Sequence, residues 1–217
     1  MKLNVKYLII PEDCKFEALK GYMRYISEER KKRIERFRFE RDKIMSLYTE
    51  LFIRSELSRQ SGLSGQDILF EYSERGKPFL AQNKDLHFSV SHSGNCIVFA
   101  GHTLPVGVDV EKIKEMREKV AKRYFTEREQ KYIFDSQDKD IAFYYIWTRK
   151  EAYLKKTGDG LSKKLISFEV LGDAVEGIFK NYTVGEYMIS VSADDIREHE
   201  LYIQECTVDE INGQYKI

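Results

Sequence analysis

"VGVDVEK", residues 106–112, sets a β-branched run around two carboxylates placed two positions apart. Val106, Val108 and Val110 alternate with Gly107, Asp109 and Glu111, which is the period of a strand with one apolar face. The valines predict a core-facing side. Asp109 and Glu111 then project together from the other side, with Gly107 leaving space beside them. Two like charges this close repel unless something positive lies between them. The stretch therefore predicts either a solvent-facing strand end carrying ordinary surface acids or a seat for a hard divalent cation.

The same run marks a seam. Ahead of it, the pattern predicts a strand near 3–10, helical character from about 15 to 61, and alternating strands at 67–73 and 86–91. A turn follows at "SHSG" (91–94), then a buried strand at 95–102. Behind it come a charged helical stretch (114–123), a helix opened by Thr126, and a helix over 138–157 closed by Gly158 and Gly160. Strands are expected near 165–170, 187–192 and 200–208. Helices and antiparallel strands thus occur twice, with the join near 103–106. This predicts an α+β fold of two similar halves, 1–104 and 105–217. No glycine-rich turn with βαβ spacing is present, which argues against Rossmann and P-loop folds.

Composition narrows the function. Lys+Arg and Asp+Glu balance at 36 each, so no overall field favours nucleic acid or a membrane surface. Three scattered cysteines without C-x-x-C spacing argue against a disulfide framework or a zinc site, and fit a reducing, cytoplasmic setting. The apolar run before Pro11 is too short for a signal or membrane segment, and a first strand is the simpler expectation.

The helix "FYYIWTRKEAYLKKTGDGL" (143–161) adds a third acid. Trp147, Glu151 and Lys155 fall on successive turns of one side, with Lys150 further round. Such a face suits a phosphate-bearing, metal-bound ligand, with Glu151 as a third ligand, Lys155 against phosphate oxygens and Lys150 near a leaving group. It equally suits a surface helix with Trp147 in the core.

Taken together, "VGVDVEK" and "WTRKEAYLKKTGDGL" (147–161) resemble the two signature blocks of the 4′-phosphopantetheinyl transferases, and more narrowly the Sfp-type branch. "RGKPFL" (75–80), "HFSVSHSG" (87–94) and "RYFTEREQKYI" (123–133) match in the expected order. The resemblance implies a pseudo-two-fold pair of α+β domains with coenzyme A and Mg²⁺ (or Mn²⁺) between them. It also implies transfer of the phosphopantetheine arm of coenzyme A to a serine hydroxyl of an apo acyl or peptidyl carrier protein, releasing 3′,5′-ADP. A monomer is expected by analogy, with no nucleic acid or membrane partner.

The resemblance implies residue roles as well. Asp109, Glu111 and Glu151 match metal ligands, and Lys155 a pyrophosphate contact. Lys150 matches a basic position beside the metal. Glu129 matches a glutamate proposed as the base, although Thr126-x-x-Glu129 is also a capping box. Lys77 and Pro78 match the segment against the adenine, and Ser91 and His92 match phosphate contacts. Arg30 and Arg33 match positions that grip the 3′-phosphate, while Met45 stands where a further arginine is common. The basic stretch 111–125 is either a docking surface for an acidic carrier or an exposed charged helix. Two competing functions remain open at this stage: a Mg²⁺-dependent nuclease or phosphohydrolase, and a coenzyme A-binding module without turnover.

Overall fold

The computed structural model describes residues 3–160, 163–172, 175, 177–195 and 202–215. Within it, one plan is built twice. In the first unit, strand β1 (Asn4–Ile9) leads through two short helices, α1 (Phe16–Leu19) and α2 (Glu28–Arg36), to a long helix, α3 (Glu40–Ser61). A hairpin then follows, β4 (His87–Ser93) and β5 (Cys96–His102). The second unit begins with β6 (Val106–Lys112) and runs through α4 (Glu118–Tyr124) and α5 (Glu127–Phe134) to a long helix, α6 (Lys139–Thr157). Its hairpin is β7 (Ile178–Val184) and β8 (Tyr187–Ala193).

In each unit the hairpin's second strand lies in the middle, paired antiparallel to both others: β4-β5-β1 and β6-β8-β7. The shared order of first, third and second strand is the pseudo-two-fold that the sequence led us to expect. A small extra ribbon, β2 (Phe70–Tyr72) with β3 (Pro78–Leu80), is inserted ahead of β4.

The long helices start and stop for local reasons. Asp138 caps α6 by accepting from the Ile141 amide at 3.0 Å. Gly62 and Gly158 end α3 and α6 in the left-handed conformation (φ 75° and 73°), where a side chain would be strained.

Three apolar cores follow from strand alternation. Val106, Val108 and Val110 pack with Val5, Val98 and Val191 between the two sheets. Leu8, Phe88 and Phe99 face α3, while Met188, Phe143 and Phe125 belong to the core around α6. The valine face of 106–112 is therefore buried between the units, which leaves its acidic face toward α6.

Several elements differ from the sequence expectation. The helical region 15–61 is broken, because Ser27 caps α2 through its side chain and Phe37 is extended. The strand expected at 165–170 is a short 3-10 turn (Leu165–Ser167) followed by extended chain. Its backbone groups bond to side chains instead of a neighbouring strand. Lys150 Nζ donates to the carbonyls of Leu165 and Phe168, Arg149 donates to that of Val170, and the Val170 amide donates to Glu129. Strand β7 was not foreseen, because its half-exposed edge position blurs the alternation.

"SHSG" is mostly strand, with the turn compressed to Gly94 and Asn95. The last segment crosses back to the first unit. Strand β9 (Ile203–Cys206) pairs parallel with β1, and helix α7 (Val208–Asn212) places Ile211 in the core under α3. The division at 104/105 thus separates the two strand–helix–hairpin units but not residues 203–215, which follow the second unit in sequence and pack on the first.

Candidate active site

The acidic face of β6 lies directly beneath α6. A Cβ placed on Gly107 would stand 1.9 Å from the Ala152 carbonyl oxygen, so only glycine admits the helix this close. The next residue of α6 on that side after Ala152 is Lys155, one turn beyond Glu151. The helix therefore delivers both residues over Asp109 and Glu111.

Asp109 is buried, and its Oδ1 accepts from Ser91 Oγ and Lys155 Nζ, each at 2.7 Å. Lys155 Nζ also donates to Ser91 Oγ at 2.7 Å. Oδ2 of Asp109 is buried with no partner. Glu111 accepts from Ser93 Oγ at 2.7 Å, while Glu151 makes no hydrogen bond or ion pair with any described residue. Burial raises the pKa of Glu151, and the charges of Asp109 and Glu111 raise it further. Burial likewise raises Glu111, with Asp109 adding to the shift and the Ser93 hydrogen bond opposing it.

Among the described residues no three His, Cys, Asp or Glu side chains stand in metal-holding geometry, and the ammonium of Lys155 is the cation now facing Asp109. The donor set nonetheless fits a hard divalent ion. Asp109, Glu111 and Glu151 repel one another, Oδ2 of Asp109 is buried without a partner, and every donor is oxygen.

Beside these acids lies a cavity of about 310 Å³ whose lining includes Gly76, Lys77, Pro78, Glu151, Lys155 and Gly158. Lys77 acts as a bracket, with its Nζ donating to the carbonyls of Val106 (3.3 Å) and Lys156 (3.1 Å). Burial lowers its pKa to about 8. Arg75 pairs with Asp159 at 2.6 Å, tying the same loop to the end of α6.

A second hollow, of about 380 Å³, gathers Arg30, Arg33 and His92 with Met45, Arg41 and Ser46. Arg30 is held by Glu50 through Nε at 3.2 Å. Loss of hydration first, then the charges of Lys155, Arg30 and Arg33, lower the pKa of His92 and favour a neutral imidazole at the rim. The hollow stays basic without the extra arginine, because Arg30, Arg33 and Arg41 outnumber Asp42 in its lining, although the Arg41 guanidinium is itself bound to the Ile10 and Pro11 carbonyls.

Glu129 and Lys150 are not brought to either hollow. Both are fully buried and pair at 2.8 Å. Glu129 also closes the capping box on the Thr126 amide at 2.9 Å and accepts from the Val170 amide at 2.9 Å. Ser93, Arg41 and Ser46 were missed as site residues. The alternation Ser89, Ser91, Ser93 was the available signal, and reading 91–94 as a turn hid it.

Comparisons with known proteins show the family. A family model described as 4′-phosphopantetheinyl transferase superfamily matches residues 105–206, and one described as 4′-phosphopantetheinyl transferase, N-terminal, matches 11–104. The 4′-phosphopantetheinyl transferase Sfp of Bacillus subtilis (strain 168) is 36% identical over 156 residues, covering 71% of this chain and 70% of that protein. The chain belongs to the Sfp-type 4′-phosphopantetheinyl transferase family. Two further transferases of the family are similar over much of their length. Gsp of Aneurinibacillus migulanus is 32% identical over 76% of this chain and 70% of its own. HetI of Nostoc sp. (strain PCC 7120) is 33% identical over 71% and 68%. The two family models meet at residues 104 and 105, where the second strand–helix–hairpin unit of this transferase begins. No helix among its described residues is long and apolar enough to cross a membrane.

Proposed function

We propose that this transferase moves the 4′-phosphopantetheine arm of coenzyme A to a serine hydroxyl of an apo acyl or peptidyl carrier protein, releasing 3′,5′-ADP. The observation that carries the cation part of this reading is the partnerless, buried Oδ2 of Asp109, close to the charges of Glu111 and of Glu151, the last of which lines the cavity. Asp109, Glu111 and Glu151 would hold Mg²⁺ or Mn²⁺, which when bound supplies charge neutralisation at the diphosphate.

The protein's own groups do the rest. Lys155, at the border of acids and cavity, offers its ammonium to diphosphate oxygens. Lys77 and Pro78 form the wall against which the adenine lies, and the Lys77 bracket holds that wall to α6 and β6. Arg30, Arg33 and His92 receive the 3′-phosphate, aided by the field of Arg41, so Met45 need not contribute a charge. Ser91 stands between Asp109 and Lys155, where it orients both.

We assign Glu129 and Lys150 to positioning. Their buried pair, with the hydrogen bonds to residues 165, 168 and 170, clamps the chain after α6 against the helix that carries Glu151. The exposed basic residues Arg117, Lys119 and Lys122 on and next to α4 form the face offered to an acidic carrier surface. The protein is read as a cytoplasmic monomer whose two units do the work of two subunits.

Incubating the chain with coenzyme A, Mg²⁺ and a panel of apo carriers, followed by intact-mass spectrometry, tests the reading. A carrier gaining one phosphopantetheine supports it. Phosphate release without carrier modification, or coenzyme A binding with no turnover on any carrier, overturns it.

A further inference from the structure

We propose that Ser93 is a positioning residue that aims the Glu111 carboxylate at the divalent ion; this rests on the cation reading above. The two sheets meet at their edges, β4 against β6, without a backbone ladder between them. Serine hydroxyls bridge the gap. Ser89 Oγ accepts the Val108 amide at 3.1 Å, and Ser93 Oγ accepts the Lys112 amide at 3.1 Å. The three serines at 89, 91 and 93 share one face of β4, since alternate residues of a strand point the same way.

A serine hydroxyl has a single proton to give. Once Ser93 has taken the Lys112 amide on a lone pair, that proton goes to Glu111 Oε2 at 2.7 Å, an ordinary hydroxyl-to-oxygen separation. The carboxylate is thereby held from the opposite unit of the fold. Ser91 treats Asp109 in the same way, but it also meets Lys155 and lies next to the cavity. Ser93 spends its proton and a lone pair on β6, so its contribution passes through Glu111. Orientation of a ligating carboxylate by such a bond is commonly worth 10- to 100-fold in metal affinity.

The test measures Mn²⁺ binding to the full chain by calorimetry or electron paramagnetic resonance, without coenzyme A or carrier. Ser93→Ala should weaken Mn²⁺ binding about 10- to 100-fold. Ser93→Thr, which keeps the hydroxyl and suits a strand, should restore it. In a Glu111→Gln background the Ser93→Ala change should have little further effect, because the two side chains act as one unit. Melting curves without metal identify any variant that fails to fold, and the threonine variant keeps the question answerable if alanine does so. Undiminished Mn²⁺ affinity in a folded Ser93→Ala protein overturns the assignment. An equal loss in the Glu111→Gln background does the same. A parent protein that binds no Mn²⁺ instead overturns the cation reading itself.

Discussion

Glu50 and Glu151 sit on the long helices of the two units, and their surroundings are opposite. Glu50 is buried and accepts four hydrogen bonds, from the Ser27 amide (2.6 Å), Ser27 Oγ (3.0 Å), Arg30 Nε (3.2 Å) and Arg54 Nε (2.9 Å). Glu56, one and a half turns on, is likewise closed by Lys6, Asn4 and Arg59. Glu151 has no such partner and faces two further acids. One fold plan therefore carries a charge network that is complete in the first unit and open in the second. Structure alone needs closed networks, since an unpaired buried charge costs several kcal/mol. An open one marks where a ligand supplies the missing charge.

The sharpest way to break this comparison is to neutralise the two glutamates in turn. Glu151→Gln should lower turnover by on the order of 10²–10³-fold, and yet raise the metal-free melting temperature by relieving repulsion. The stabilisation that Mg²⁺ gives the parent protein should vanish with it. Glu50→Gln should do the reverse to stability, costing about 3–5 kcal/mol because it leaves buried arginine charge unanswered. Calorimetric melts with and without Mg²⁺, beside carrier assays, check both. If the two variants shift stability in the same direction, the contrast is lost.

The buried pair Glu129–Lys150 is the closed network of the second unit and should behave like those of the first. Glu129→Gln alone should cost about 3–5 kcal/mol by stranding the ammonium. Adding Lys150→Met removes the stranded charge but leaves the Leu165 and Phe168 carbonyls without their donor, so it should recover part of that stability and, with it, part of the turnover. A double variant that is well folded but inactive would show that the pair takes part in the chemistry beyond positioning.

A smaller effect separates the two helix–sheet contacts. Gly107→Ala would drive a methyl into the α6 backbone, whereas Gly101→Ala on β5 would meet mainly the flexible Gln60 side chain at 2.5 Å. We expect about 1–3 kcal/mol for the first and less for the second, measured by urea unfolding. Weakened Mn²⁺ binding should accompany only Gly107→Ala.

An effect confined to alkaline pH concerns Lys77, which joins the units across the cavity. Its folded pKa of about 8 lies below the ordinary 10.5, so between those values the unfolded chain holds a proton that the folded chain has released. Stability should therefore gain a rising contribution with pH across that window, and Lys77→Met should remove it. Unfolding titrations at several pH values compare the two slopes.

Particular residues show what was legible beforehand. The valine and acid faces of 106–112 follow from strand period alone, and Gly158 stops α6 as its sequence position suggests. The capping box of Thr126 and Glu129 was visible as a spacing of three. That Glu129 also pairs with Lys150 was not, because twenty-one residues separate them and only packing brings them together. Residues 165–170 look like a strand, but their partners are side chains from α5 and α6, which no local pattern records.

From the sequence alone came the doubled α+β plan, the family, and the residue types of the site, because these rest on local periodicity and on ordered motifs. Tertiary structure decided which charges are answered. Glu50, Glu129 and Lys150 are closed off, Asp109 is answered on one oxygen only, and Glu151 is not answered at all, although all are ionisable residues on helices or strands of the same fold. The reason is that pairing depends on which side chains meet across elements distant in the chain. A contact between β4 and β6, or between α6 and Gly107, has no signature in either segment until the two are packed.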